Sequence, residues 1–247
     1  MEKFFRIGRA EYVALVVLIF VIGFGAALIF VPNAAEERIV VTDETVIEMG
    51  IPAVDADGEG VVGSIKTIIR PGTGQILVNV NNVLAQFDTQ LSGRTAAIAA
   101  SDYTEKSLDN VDIIYDIRVN ASVIEGPSAG ASMAASIVLA LEGIKSDPGI
   151  MMTGTINEDG TVGRVGAIVE KAVAAKDAGA YLFLVPENQA SQLGSSRSIL
   201  CSMDGELEIC RIEYTRDRVS LGDSVNITLN EVRDIGDIVN FYRNPQI

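Results

Sequence analysis

Between residues 61 and 242 the spacing of apolar residues switches repeatedly between a period of two and a period near 3.6. That alternation leaves few architectures open. Residues 61–70 and 75–80 read as strands around Pro71-Gly72-Thr73-Gly74, 82–101 as a helix, and 111–119 as a strand. A helix follows Ser128 and stops before Asp147-Pro148-Gly149. A strand is expected over 151–156, then a turn at Asn157-Glu158-Asp159-Gly160 and a helix over 165–178 ended by Gly179. Residues 181–185 form the near-continuous apolar run of a buried strand, and 235–242 a final short helix. Strands interleaved with helices of this length predict one layered α/β (α+β) domain.

The chain is 247 residues long, 48% hydrophobic and 21% charged, so disorder is excluded as its main state. Its net charge is −14; setting aside residues 1–31 leaves 16 basic and 31 acidic residues, a net charge of −15. A globular part so acidic repels nucleic acid and anionic headgroups. Residues 12–31 carry no charge, and twenty residues of helix at about 1.5 Å each cross a hydrocarbon core of about 30 Å. We therefore expect one transmembrane anchor, uncleaved because Pro32-Asn33-Ala34-Ala35 lacks a clear Ala-x-Ala site. Lys3, Arg6 and Arg9 precede it and Glu36 and Glu37 follow, which predicts a cytoplasmic N-terminus (1–11) and a domain on the opposite side. Residues 32–57 read as a linker with a short strand over 39–42, ahead of a domain at 58–247.

Cys201 and Cys210 flank an Asp204-Gly205 turn signal between β-rich runs. They stand either as a disulfide across a hairpin or as two thiols; two cysteines without histidine do not make a zinc site, and no metal or cofactor is expected. Gly58-Glu59-Gly60-Val61-Val62-Gly63 has dinucleotide-fingerprint spacing but runs into a strand rather than a helix, so it reads as a turn. No P-loop sequence occurs.

Gly126-Pro127-Ser128-Ala129-Gly130 matches Gly-x-Ser-x-Gly in a chain with no histidine at all. A nucleophile elbow that passes its proton to histidine is thereby excluded, leaving a lysine of lowered pKa or a carboxylate of raised pKa as base. The bland reading of the same residues is an ordinary cap before a small-residue helix. Six lysines exist, and Lys3 precedes the anchor. Lys171, with Ala167, Ile168, Ala174 and Ala175 at helical spacing, and Lys176, above Ala172 and Val173, both have apolar surrounds that would depress a pKa. Periodicity leaves these two open.

The run from Ile124 to Met133 around Gly126-Pro127-Ser128, followed by Met152-Thr153-Gly154-Thr155-Ile156, by Gly160 to Gly166, and by Glu170-Lys171-Ala172, resembles the proteolytic domain of the Lon protease family. The resemblance implies that fold, a Ser128 nucleophile with Lys171 as its base, and supporting roles for Thr153 beside the dyad and Glu125 before the Gly-Pro-Ser. Gly126 would leave room for substrate, and the amides around Ser128 and Ala129 would hold an oxyanion. It further implies an endopeptidase acting on unfolded or extended polypeptides, with ring-shaped homo-oligomers as its assembly, and the missing P-loop makes that activity ATP-independent in this chain. The sequence departs from the family in lacking an ATPase region, in its N-terminal anchor, and in an apparent insertion over 189–224. Two rivals are an inactive anchored scaffold of the same fold and a signal-peptidase-like Ser-Lys protease.

Overall fold

The central sheet is built from strands whose buried positions alternate, as one covered face requires. In the computed structural model of the chain, residues 13–21, 37–38, 41–81, 84–85, 87–119, 123–124, 127–204 and 207–244 are described. Helix α1 covers residues 13–21 and is exposed throughout. The chain divides into two units, residues 1–36 and 37–247. Among the described residues no helix is long and apolar enough to cross a membrane, and the remainder of the expected anchor at 12–31 lies outside them.

The second unit begins with the two-residue strand β1 (Glu37–Arg38). Strands β2 (Thr45–Val54), β3 (Gly60–Pro71) and β4 (Ile76–Asn81) follow, then β5 (Leu84–Ala85), helix α2 (Phe87–Thr104), β6 (Lys106–Ser107) and β7 (Val111–Arg118). Sheet order is β2-β3-β7-β4, antiparallel except for the β7–β4 pair. After β8 (Val123–Ile124) come α3 (Gly130–Glu142), β9 (Ile150–Met152), β10 (Thr155–Ile156), β11 (Val162–Gly163), α4 (Ile168–Asp177) and β12 (Leu182–Pro186). The chain ends with β13 (Ser191–Asp204), β14 (Leu207–Ser220), α5 (Leu221–Val225), β15 (Thr228–Val232) and α6 (Ile235–Arg243). A second, parallel sheet has the order β15-β12-β9. Its middle strand β12 is buried at every position, which explains the unbroken apolar run there.

Helix α3 is the hub. Every residue from Gly130 to Ala140 is buried, and a helix covered on all sides must be apolar around its circumference. Its many small residues let α2, α6 and the central sheet approach its axis closely. The two hydroxyls facing each other here, Ser136 Oγ and Thr67 Oγ1, lie 2.7 Å apart, and Ser136 also donates to Met133 O at 2.7 Å. That bond ties α3 to β3 without leaving either buried hydroxyl unmet. A smaller cluster, formed by Ile168, Ala172, Ala175, Phe183, Val185 and Leu221, seats α4 on the parallel sheet.

Two expectations need correction. The region read as a linker contains β2, which pairs with β3 along its full length from Thr45↔Ile69 to Val54↔Gly60. β2 is an edge strand, where proline is tolerated, and the space beside Gly50 is filled by the Met151 thioether. The strand expected over 151–156 is interrupted: β9 ends at Met152 and β10 begins at Thr155. Thr153 and Gly154, left between them, become the latch described below.

The apparent insertion is a long hairpin. Among the described residues β13 and β14 pair only with each other, in register from Ser191↔Ser220 to Asp204↔Leu207, with the bonded pair Cys201–Cys210 directly opposite across the strands. Ile199, Leu200, Met203, Ile209 and Ile212 are exposed on it.

Candidate active site

Three segments converge on one cleft. The loop before α3 brings Pro127, Ser128 and Ala129; the gap between β9 and β10 brings Thr153 and Gly154; and α4 brings Lys171. Backbone bonds lock the first two together, since Gly154 N donates to Ser128 O (2.9 Å) and Ala131 N donates to Gly154 O (3.0 Å). The approach depends on glycine. A Cβ on Gly154 would come within 2.5 Å of Val162 Cγ1 and 3.2 Å of Ala131 Cβ, and one on Gly130 within 2.9 Å of Ile156 Cγ2. Thr153 N is held by Leu184 O at 3.0 Å, which fixes the latch to the parallel sheet.

Lys171 is 5% exposed, whereas Lys176 is exposed. The tie left by periodicity is thereby resolved in geometry: α4 turns Lys171 toward the cleft and Lys176 toward solvent. Lys171 Nζ donates to Thr153 Oγ1 at 3.4 Å, and that hydroxyl, 1% exposed, donates to Ser128 O at 3.5 Å. Among the described residues no carboxylate pairs with the ammonium. Burial therefore dominates and lowers its pKa from 10.5 to about 8, against the weaker opposing pull of Glu170. A neutral amine is accessible just above neutrality.

Ser128 and Lys171 line the same cavity of about 520 Å³, with Val54, Ala56, Thr155, Arg164 and Val165 among its walls. Ser128 is half-buried. Gly130 and Ala131 commit their amides to Pro127 O (3.1 Å) and Gly154 O, which leaves those of Ser128 and Ala129 without an acceptor among the described residues. They sit at the start of α3, where unsatisfied N–H groups favour negative charge. Ala167, immediately before α4, has φ 55° and ψ 43°, a left-handed conformation that is unusual for a residue with a Cβ. Glu125 and Gly126 fall outside the described residues. Among the described residues no cluster of His, Cys, Asp or Glu is arranged to hold a metal ion.

Sequence reasoning overlooked the wall contributed by Val54, Asp55 and Ala56, because that segment reads as linker. Arg164 and Val165 lie inside a recognised motif yet carried no assigned role.

Residues 33–219 match the Lon protease (S16) C-terminal proteolytic domain. The chain belongs to that family. It is 28% identical to Lon protease 2 of Bacillus subtilis (strain 168) over 192 residues, 72% of this chain and 33% of the relative. It is 30% identical to the Lon protease of Rhizobium meliloti (strain 1021) over 154 residues, covering 61% and 19% of the two chains. The archaeal Lon protease of Archaeoglobus fulgidus is 28% identical over 140 residues, covering 53% and 22%. The match thus spans a third or less of these Lon relatives' length.

Proposed function

We propose that this chain is a serine endopeptidase in which Ser128 and Lys171 form the catalytic dyad. The observation that carries the reading is a buried lysine that no carboxylate pairs with among the described residues, opening into the same cleft as a serine at the start of a buried helix. Neutral Lys171 accepts the Ser128 proton as Oγ adds to the peptide carbonyl. The amides of Ser128 and Ala129 meet the oxyanion that forms; one such donor is typically worth about 3 kcal/mol in the transition state. Collapse of the intermediate releases the amine, which takes the proton from the Lys171 ammonium, and leaves an acyl-Ser128 ester. Lys171, neutral again, removes a proton from water as it attacks that ester, and the acid product departs with Ser128 restored. Thr153, bonded to both Ser128 O and Lys171, orients the pair.

No step needs a nucleotide, in keeping with the lack of a P-loop, and the open half-apolar cleft suits extended polypeptide. We further propose that residues 12–31 anchor the chain in a membrane with the peptidase domain on the non-cytoplasmic side, and that the domain works as a homo-oligomer. Peptide cleavage tests the dyad. Ser128→Ala, Lys171→Ala and Lys171→Arg should each abolish turnover, because arginine stays protonated and accepts nothing. Lys176→Ala should keep most of it. Full activity in Lys171→Arg would overturn the assignment, and failure of the unaltered protein to cleave any peptide or react at Ser128 would favour the scaffold reading.

A further inference from the structure

We infer that the cleft contains a carboxylate-binding subsite built on Arg164, which selects substrates presenting an acidic group near the scissile bond. Arg164 lines the same cavity as Ser128 and Lys171. Its side chain is exposed to the cleft and makes no hydrogen bond or ion pair among the described residues. The arginines that do pair, Arg70, Arg118, Arg233 and Arg243, all lie outside this cavity's wall.

The other charged groups of the wall are committed elsewhere. Asp55 Oδ1 accepts the amides of Asp57 and Glu59, both at 3.0 Å, and so holds the turn after β2. Lys171 must be neutral to act as a base. Arg164 is thus the permanent cation of the cleft wall in a chain whose residues 32–247 carry a net charge of −15. An acidic substrate approaching such a domain is repelled unless a specific cation receives it.

The backbone under Arg164 is pinned on both sides. Gly163 pairs with Thr155 in the β10–β11 ladder, packed so closely on the Thr155 hydroxyl that no side chain fits. Val165 is gripped by the Gln189 amide, which accepts from Val165 N at 3.0 Å and donates to Val165 O at 2.7 Å. A guanidinium on a fixed backbone, lining the same cavity as the nucleophile and without a partner among the described residues, is arranged for fork-like pairing with a planar carboxylate. The carboxylate can come from an Asp or Glu side chain or from the free C-terminus of the substrate; both present the same planar anion.

The inference rests on the protease reading for its meaning, so its test is separated from turnover. Full-length Ser128→Ala protein in detergent is titrated against fluorescein-labelled decapeptides of Ala and Ser, with one Glu moved through successive positions. Each has a Gln counterpart, and each is made with a free or an amidated C-terminus. We expect one Glu position, or the free C-terminus, to bind about tenfold more tightly than its neutral match. The preference should disappear when Arg164→Gln is added and reverse toward a Lys peptide with Arg164→Glu. A Glu effect confined to one position identifies side-chain recognition, and a free-acid effect alone identifies the terminus. Equal binding of all charged and neutral pairs, or a preference unchanged in Arg164→Gln, would overturn the subsite. Failure of the catalytic reading would show instead as an unreactive Ser128 in the unaltered protein, without touching these affinities.

Discussion

Burying Lys171 has a cost that the rest of the domain must offset. Its pKa in the folded state is about 8 against 10.5 when exposed, so below pH 8 both folded and unfolded chains carry the proton and the desolvation penalty is felt in full. Between pH 8 and 10.5 the folded state sheds its proton first, the unfolded state binds more protons, and stability rises with pH. Lys171→Met removes the charge and keeps the length of the side chain. Denaturant titration should find this variant inactive yet more stable by on the order of 2 to 3 kcal/mol at pH 7, the gain fading by about pH 10.5. A less stable variant at pH 7 would mean that the ammonium has a partner the geometry does not reveal. At this scale the sequence was informative in one respect and silent in another. With no histidine available, residue types reduce the base to a lysine or a carboxylate, and among the lysines Lys171 and Lys176 differ only in which way α4 faces. That is decided by the packing of α4 on β2 and β3, strands far earlier in the chain, and on the parallel sheet.

Among the elements, the latch between β9 and β10 sets the spacing of the site. Gly154→Ala would press a methyl against Val162 and Ala131 and lift the Thr153-Gly154 segment away from Ser128. We expect a loss of about 1 to 3 kcal/mol in stability and a drop in Ser128 reactivity of at least tenfold, measured by denaturant titration and active-site labelling. Unchanged reactivity would show that the latch does not position the serine. Helices α3, α4 and α6 and the buried strand β12 were legible because their apolar patterns are long, whereas the short α5 was not anticipated and α2 begins later than its pattern suggested. β2 was not: Glu48, Gly50 and Pro52 interrupt its pattern, and what makes it a strand is its edge position and the Met151 thioether filling the place of a Gly50 side chain. The break at Thr153-Gly154 was hidden for a related reason, since an apolar run gives no sign of where a ladder stops to receive another loop. For the hairpin of β13 and β14, the turn signal and the cysteines placed the reversal correctly. Its register, strand against strand, is something only the three-dimensional fold supplies.

For the molecule as a whole, the proposed non-cytoplasmic location makes two predictions, one from the charge asymmetry around residues 12–31 and one from the Cys201–Cys210 pair, since disulfides persist outside the cytoplasm. Protease added to sealed cells should therefore remove the domain. Intact-mass analysis of material from its native compartment should also show a two-proton deficit restored by reductant. Digestion only after permeabilisation, together with two freely alkylated thiols, would place the domain in the cytoplasm. The Lon-family fold is shown over most of the chain, and the central claim built on it is that a neutral Lys171 activates Ser128. The most direct measurement is the rate of fluorophosphonate labelling at Ser128 as a function of pH, in the unaltered protein and in Lys171→Met. The account predicts a rate that climbs through an apparent pKa near 8 and is lost in Lys171→Met, while Lys176→Ala labels normally. Labelling that is independent of pH, or that survives in Lys171→Met, would contradict it.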